Sequence, residues 1–209
     1  MVSSKPHLSN QPLLRSHILD AARAIVVRQG FDALSMRKLA EVVGYSPASL
    51  YLHFASRDAI AHALSVEGHA MLLAALRACD SIADAGERVR AMAHAYVKFG
   101  QAHPEVYRLI FMQNPAYTDA AFSDVASAGE TVLSVLTRTL ALVHDPAAQA
   151  GTLWAALHGI VSLSLTAPTV FAAPTATLID EMLDLYLPGV NKRAAKQKPA
   201  RRRPSATAG

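Results

Sequence analysis

At 209 residues and 22.3 kDa the chain is long enough to bury a sizeable core. Its single cysteine, Cys79, excludes an internal disulfide and any zinc site built on two thiolates. The net charge of +4 is unevenly spread: residues 1–60 carry +3, residues 61–189 carry −6 and residues 190–209 carry +7, so a basic head and tail flank an acidic body.

Hydrophobic residues make up 52% of the chain but aromatics only 6%, the surplus being Ala, Leu and Val. Ala and Leu favour helix and long β-branched alternations are absent, which predicts an all-α protein of about nine helices. Pro12 suits a first helical turn, and Leu14, Ile18, Ala21 and Ile25 follow at helical spacing as far as the stop at Gly30, giving a helix over about 12–29. Ser35 caps a short helix with Met36, Leu39 and Val43 inward, ending at Gly44. Ser46, with Pro47 at the first position, opens a third helix whose Leu50 and Phe54 point inward. Ser56 caps a fourth that runs to about Ala78.

Further on, Asp84 and Glu87 have capping-box spacing for a helix carrying Val89, Met92 and Tyr96. His103-Pro104 breaks that helix and starts a short one over Glu105–Met112. Asn114-Pro115 is a turn, after which Thr118 or Asp119 starts a long helix ending near Val143. Asp145-Pro146 opens the next, over about 146–167, and a last amphipathic helix spans about 177–187 and stops at Pro188-Gly189. The tail from 190 to 209 has no large apolar residue after Val190 and is expected to be disordered.

No Lys, Arg, Asp or Glu lies between Asp145 and Asp180, and the window Gly151–Thr169 approaches bilayer-spanning length. Its Thr152, His158, Ser162, Ser164 and Pro168, with no basic residue close by, favour a helix buried in an oligomer over a membrane span. The N-terminus, MVSSKPHLSNQPLL, has no signal-peptide-like apolar run, which predicts a cytoplasmic protein.

The stretch from Leu34 to Ile60 has helix-turn-helix spacing, in which the second helix enters the major groove. Its outward residues Ser46, Ala48, Ser49, Tyr51 and His53, with Pro47, are small or reach flanking phosphates. Arg37, near the Ser35 cap, has the bidentate donors that recognise guanine, while Lys38 and Arg57 suit phosphates. Residues 12–60 resemble the DNA-binding domain of the TetR family of bacterial transcriptional regulators. The resemblance lies in Ile18–Ala24 with Gly30-Phe31, Leu39-Ala40, Val43-Gly44, Ser46, Leu50-Tyr51, His53-Phe54 and Arg57-Asp58. It implies a bacterial homodimer that binds a palindromic double-stranded DNA operator and releases it when a small effector occupies the C-terminal domain.

Downstream, Tyr96, Phe99, His103-Pro104, Tyr107–Phe111 and Trp154–Gly159 resemble the WHG type of TetR C-terminal domain. That implies a helical ligand-binding half, with dimer contacts on parts of 118–143 and 146–167. The expected organisation is a flexible arm over 1–11, a DNA-binding domain over 12–60, a ligand-binding and dimerisation domain over 61–189 and the tail over 190–209. Met92, Tyr96, Phe99, Tyr107, Phe111, Met112, Trp154 and His158 are candidates for an apolar ligand cavity, and each is also compatible with plain core. His158 could pack, touch a ligand or hold a metal. His62 and His69, seven apart on one helix, make a poor zinc pair, so no metal or cofactor is expected and they read as solvated or interdomain histidines. No phosphate loop, nucleophile elbow or Cys/His pair points to an enzyme. The competing reading is a helical small-molecule-binding or membrane-associated protein without sequence-specific DNA binding.

Overall fold

The computed structural model describes residues 11–113, 123–124, 126, 129–140 and 145–197. Five polar side chains placed ahead of apolar runs act as helix caps, each taking one of the first free backbone N–H groups. Ser35 Oγ accepts from Lys38 N at 3.2 Å, Ser46 Oγ from Ser49 N at 3.2 Å, and Ser56 Oγ from Ala59 N at 3.1 Å. Asp84 Oδ1 accepts from Glu87 N at 2.9 Å and Asp145 Oδ1 from Ala148 N at 3.1 Å. Nine α-helices result among the described residues, with no strand: α1 Gln11–Gln29, α2 Met36–Val43, α3 Pro47–Tyr51, α4 Arg57–Arg77, α5 Ala85–Ala102, α6 Pro104–Phe111, α7 Val132–Thr139, α8 Pro146–Thr166 and α9 Thr175–Gln197. A single 3₁₀ turn, Phe31–Ala33, follows α1.

The described residues group into two units. The first takes residues up to Ala78 with Ala95–Val132, and the second takes Cys79–His94 with the residues from Leu133. In the first, Ile18, Ala22, Ile25, Leu39, Leu50, Phe54, Ile60 and Leu64 form one core with Leu109. Gly44, at φ 73°, turns the chain from α2 toward α3 in the left-handed region where glycine is least strained. Gly68 lets α4 and α6 approach closely, since a Cβ there would lie 2.8 Å from Val106 and from Ile110. Arg23 of α1 reaches Glu67 of α4 at 2.6 Å.

In the second unit, α8 buries one stripe, Ala150, Leu153, Leu157 and Val161, at helical spacing. Arg90 of α5 bridges Asp180 at 2.7 Å and Asp184 at 2.6 Å on α9, and His94 Nε2 lies 3.0 Å from Asp180. Those partners, His94 first and then Arg90, hold the Asp180 carboxyl below the usual carboxylate range.

Two of the later elements depart from the sequence expectations. The long helix expected over 118–143 is not continuous: Ser123, Asp124 and Ala126 are helical, Gly129 adopts φ 113°, outside the helical region, and α7 follows over Val132–Thr139. Residues 118–122, 125, 127–128 and 141–143 lie outside the described residues, as does the turn expected at Asn114-Pro115. The last helix does not stop at Pro188-Gly189 but runs to Gln197, so residues 190–197 of the expected disordered tail are helical. Pro188 removes one intrahelical hydrogen bond, yet the following Lys, Arg, Ala and Gln residues are good helix formers that carry the helix on. The rest of the tail and the arm over 1–10 lie outside the described residues.

Candidate nucleic-acid interface

Two short helices and the turn at Gly44-Tyr45 build the candidate surface. Leu39, Ala40 and Val43 of α2, with Leu50 and Phe54, are buried and fix α3 to the core. Burying that one side leaves Ser46, Pro47, Ala48 and Tyr51 exposed and Ser49 half-buried. The Ser46 and Ser49 hydroxyls lie 2.9 Å apart, which ties the first turn of α3 together. α3 is shorter than its apolar spacing suggests, since His53 lies beyond the helix, with its N–H bonded to Leu50 O at 2.9 Å. Leu52 is 83% exposed, and Tyr45 and Val42 are exposed as well. None of the three stood out in the sequence, because a large apolar residue at a short helix end carries no mark of which way it faces.

The basic side chains differ in how far they are committed. Arg37 is exposed, its side chain 88% accessible, with Glu41 one turn on at 3.5 Å. Lys38 bonds its ammonium to Gln29 at the end of α1, and Ser35 is exposed beside its cap bond. Arg57 lies over the Phe31 ring, its Cζ 4.8 Å from the centroid, and 3.7 Å from Asp58. Arg15 of α1 lies over the Phe54 ring in the same manner, at 4.6 Å. The surface thus combines small polar groups, a tyrosine and several arginines, which are the groups that meet base edges and phosphates.

The candidate ligand residues fall into both units. In the first, Tyr96, Phe99 and Tyr107 are buried, while Phe111 and Met112 are half-buried. The Tyr96 and Tyr107 hydroxyls are 2.9 Å apart, and Tyr107 packs against Phe111 with centroids at 4.8 Å. Burial raises the Tyr107 phenol far above its ordinary value. Phe111 also meets His69 edge-on at 5.6 Å. The expectation that His62 and His69 are solvated or interdomain histidines fails for His69, which is buried, with Nδ1 2.9 Å from Ser65 O one turn earlier. His62 lies 3.2 Å from Asp124. In the second unit Met92 is buried, and Trp154 and His158 are half-buried on α8. Among the described residues no group of three or more His, Cys, Asp or Glu gathers as a metal site. α4 is the described helix long and apolar enough to cross a membrane, and half of its apolar window is buried.

Two family models match the chain, "Bacterial regulatory proteins, tetR family" over residues 18–64 and "Tetracyclin repressor-like, C-terminal domain" over residues 89–186. An HTH-type transcriptional regulator of Mycobacterium tuberculosis is 28% identical over 160 residues, 74% of this chain and 71% of that protein. The regulator UidR of Escherichia coli is 36% identical over 63 residues, 30% of this chain and 32% of that one. A protein of unknown function from Rhodococcus has the same fold, with a TM-score of 0.69 at 26% identity, covering 90% of this chain and 98% of that one. FadR of Bacillus subtilis, solved with stearoyl-CoA, shares the fold alone, with a TM-score of 0.64 at 13% identity over 83% of this chain and 98% of that one. With a helix-turn-helix head and a helical C-terminal half each matching their own family model, the chain belongs to the TetR family of transcriptional regulators.

Proposed function

We propose that the chain is a cytoplasmic homodimeric repressor that binds a palindromic operator and releases it on binding a small, largely apolar effector. The observation that carries this reading is α3, capped by Ser46, anchored by buried Leu50 and Phe54, and presenting Ser46, Pro47, Ala48, Ser49 and Tyr51 outward beside a solvated Arg37. In this reading Arg37 and the start of α3 read base edges. Ser35, Lys38, Tyr51, His53 and Arg57 contact the backbone.

The dimer is supported by α8, which has no charged residue yet buries only one stripe within its own chain, leaving Trp154, Ile160 and Leu163 partly exposed. A helix without a charged face is best covered on its remaining side by a second copy. The effector would bind among the aromatic and methionine side chains of the first unit, Tyr96, Phe99, Tyr107, Phe111 and Met112. Its chemistry is supported by their apolar character and, as an analogy of fold only, by the stearoyl-CoA bound in Bacillus subtilis FadR. Release follows if the effector favours a spacing of the two α3 helices that no longer matches half-sites about one DNA turn apart. The effector can shift that equilibrium only by its differential affinity for the two spacings.

A gel-shift assay on the DNA upstream of the protein's own gene tests the reading. Wild type should retard that fragment at salt and competitor levels where Arg37→Ala and Tyr51→Ala do not. Survival of specific binding in both variants would overturn the assignment of the reading surface.

A further inference from the structure

Arg15 was not among the DNA-facing candidates, being on α1, outside the helix-turn-helix. Its Cζ nevertheless lies 4.6 Å from the centroid of Phe54, the buried residue that directly follows His53 beyond the end of α3. Arg15 itself is exposed. Most arginines of the first unit have a carboxylate within reach: Arg23 has Asp20 and Glu67, Arg37 has Glu41, Arg57 has Asp58, Arg77 has Glu130 and Arg108 has Glu105. Arg15 makes no ion pair among the described residues, and the ten residues ahead of Gln11 contain no Asp or Glu. Arg28 also makes none, but it sits thirteen residues along the same helix, roughly 20 Å away.

A guanidinium lying on a ring face keeps its N–H donors in its own plane, where they remain able to bind oxygen anions, and the ring restricts its motion beforehand. Such a group is well made for a phosphate and cannot read sequence from outside the groove. We propose that Arg15 is a DNA-phosphate contact, held on Phe54 at the trailing end of the recognition helix, next to His53. The inference rests on the DNA-binding reading above. It adds α1 to the elements that grip the backbone, so the duplex is held from α1 as well as from α2 and the start of α4.

The test uses the full chain and fluorescence anisotropy on two labelled 30-base-pair duplexes, one from the region upstream of its gene and one of unrelated sequence, across a salt series. Arg15→Met keeps an apolar cover on Phe54 and removes the charge, while Arg15→Lys restores a cation without the fork. Arg15→Met should weaken binding to both duplexes by the same factor, about fivefold to tenfold per bound chain near 0.1 M salt. It should also lower the slope of log affinity against log salt by about 0.9 per chain. Arg15→Lys should recover most of the slope.

Arg15→Met with the wild-type slope overturns the proposal. So does a variant that weakens the upstream duplex alone, because that would place the effect in the setting of α3 rather than on a phosphate. Circular dichroism melting of each variant identifies loss of fold, and if Arg15→Met unfolds, Arg15→Lys against Arg15→Gln carries the same comparison. A wild-type chain that binds neither duplex overturns the DNA-binding reading itself, a result distinct from an unchanged slope.

Discussion

Single atoms and groups decide two features of the molecule. At Gly68 a methyl group would meet Val106 Cγ1 and Ile110 Cδ1 at 2.8 Å and Ile110 Cγ1 at 3.0 Å. Alanine is the better helix former by about 1 kcal/mol, but overpacking a filled contact costs about 1–3 kcal/mol, and valine is too stiff to move aside cheaply. Gly68→Ala should therefore lower the urea midpoint while leaving the slope of unfolding unchanged, and an unaltered or raised midpoint would show that α6 gives way freely. The histidines set a second expectation. Burial pushes the imidazoles of His69 and His158 below the ordinary histidine value, with the Ser65 carbonyl opposing it weakly at His69. The unfolded chain takes up protons near pH 6.5 that the folded chain refuses, so stability is fully present above that pH and falls as the pH drops through it. Urea midpoints at pH 7.5 and 5.5 should show that fall, and it should be smaller in His69→Gln. An equal fall in both proteins would assign the effect to other groups.

At the scale of elements, the caps carry much of the local order. α3 is only five residues long and relies on Ser46 both as N-cap and as the partner of Ser49. Ser46→Ala should cost about 1 kcal/mol of stability and weaken DNA binding with it, whereas Ser46→Asp should keep the cap and still weaken binding by repelling phosphate. Thermal melting beside gel shift separates the two, and wild-type affinity in Ser46→Asp would place Ser46 away from the DNA. The same local chemistry explains what could be read without coordinates. Ser35, Ser46, Ser56, Asp84 and Asp145 each precede an apolar run, and a cap needs nothing beyond its own first turn. The inward set Leu39, Val43, Leu50 and Phe54 followed from helical spacing alone. Elsewhere the governing signal is weak or misleading. Gly129 lies in a window of Ala, Ser and Glu that reads as helix, and only its positive φ shows the break before α7. Pro188-Gly189 reads as a stop, yet the helix formers beyond it outweigh the lost bond. The ring contacts of Arg15 and Arg57 join residues 39 and 26 positions apart, a separation that no local pattern encodes.

For the whole molecule, charge and symmetry have to be considered together. Residues 61–189 carry −6 against +3 for the head, −3 in all, so outside its head this part of the chain repels DNA, and in the proposed dimer two copies double that repulsion. In the proposed dimer a second copy covers the exposed apolar side of α8: Leu163→Glu should shift the mass in sedimentation equilibrium from two chains to one and abolish gel shift at equal chain concentration. A dimer that persists in Leu163→Glu would move the seam off that face. In the proposed regulator the basic tail adds to the grip on the DNA backbone. Its seven basic residues, Lys192, Arg193, Lys196, Lys198 and Arg201–Arg203, more than offset the −3, and α9 carries the first three on a helical stem reaching Gln197. Exposed charges act over a Debye length of about 10 Å at 0.1 M salt, so the tail contributes only where it comes close to the backbone. Replacing all seven by Gln keeps helix-forming residues in the stem and removes the charge. The variant should lose affinity for every duplex alike, with the salt slope falling by about 0.9 for each phosphate released and base preference untouched. A slope equal to that of wild type would leave the tail as a solubilising segment and return the whole electrostatic grip to Arg15, Lys38 and Arg57.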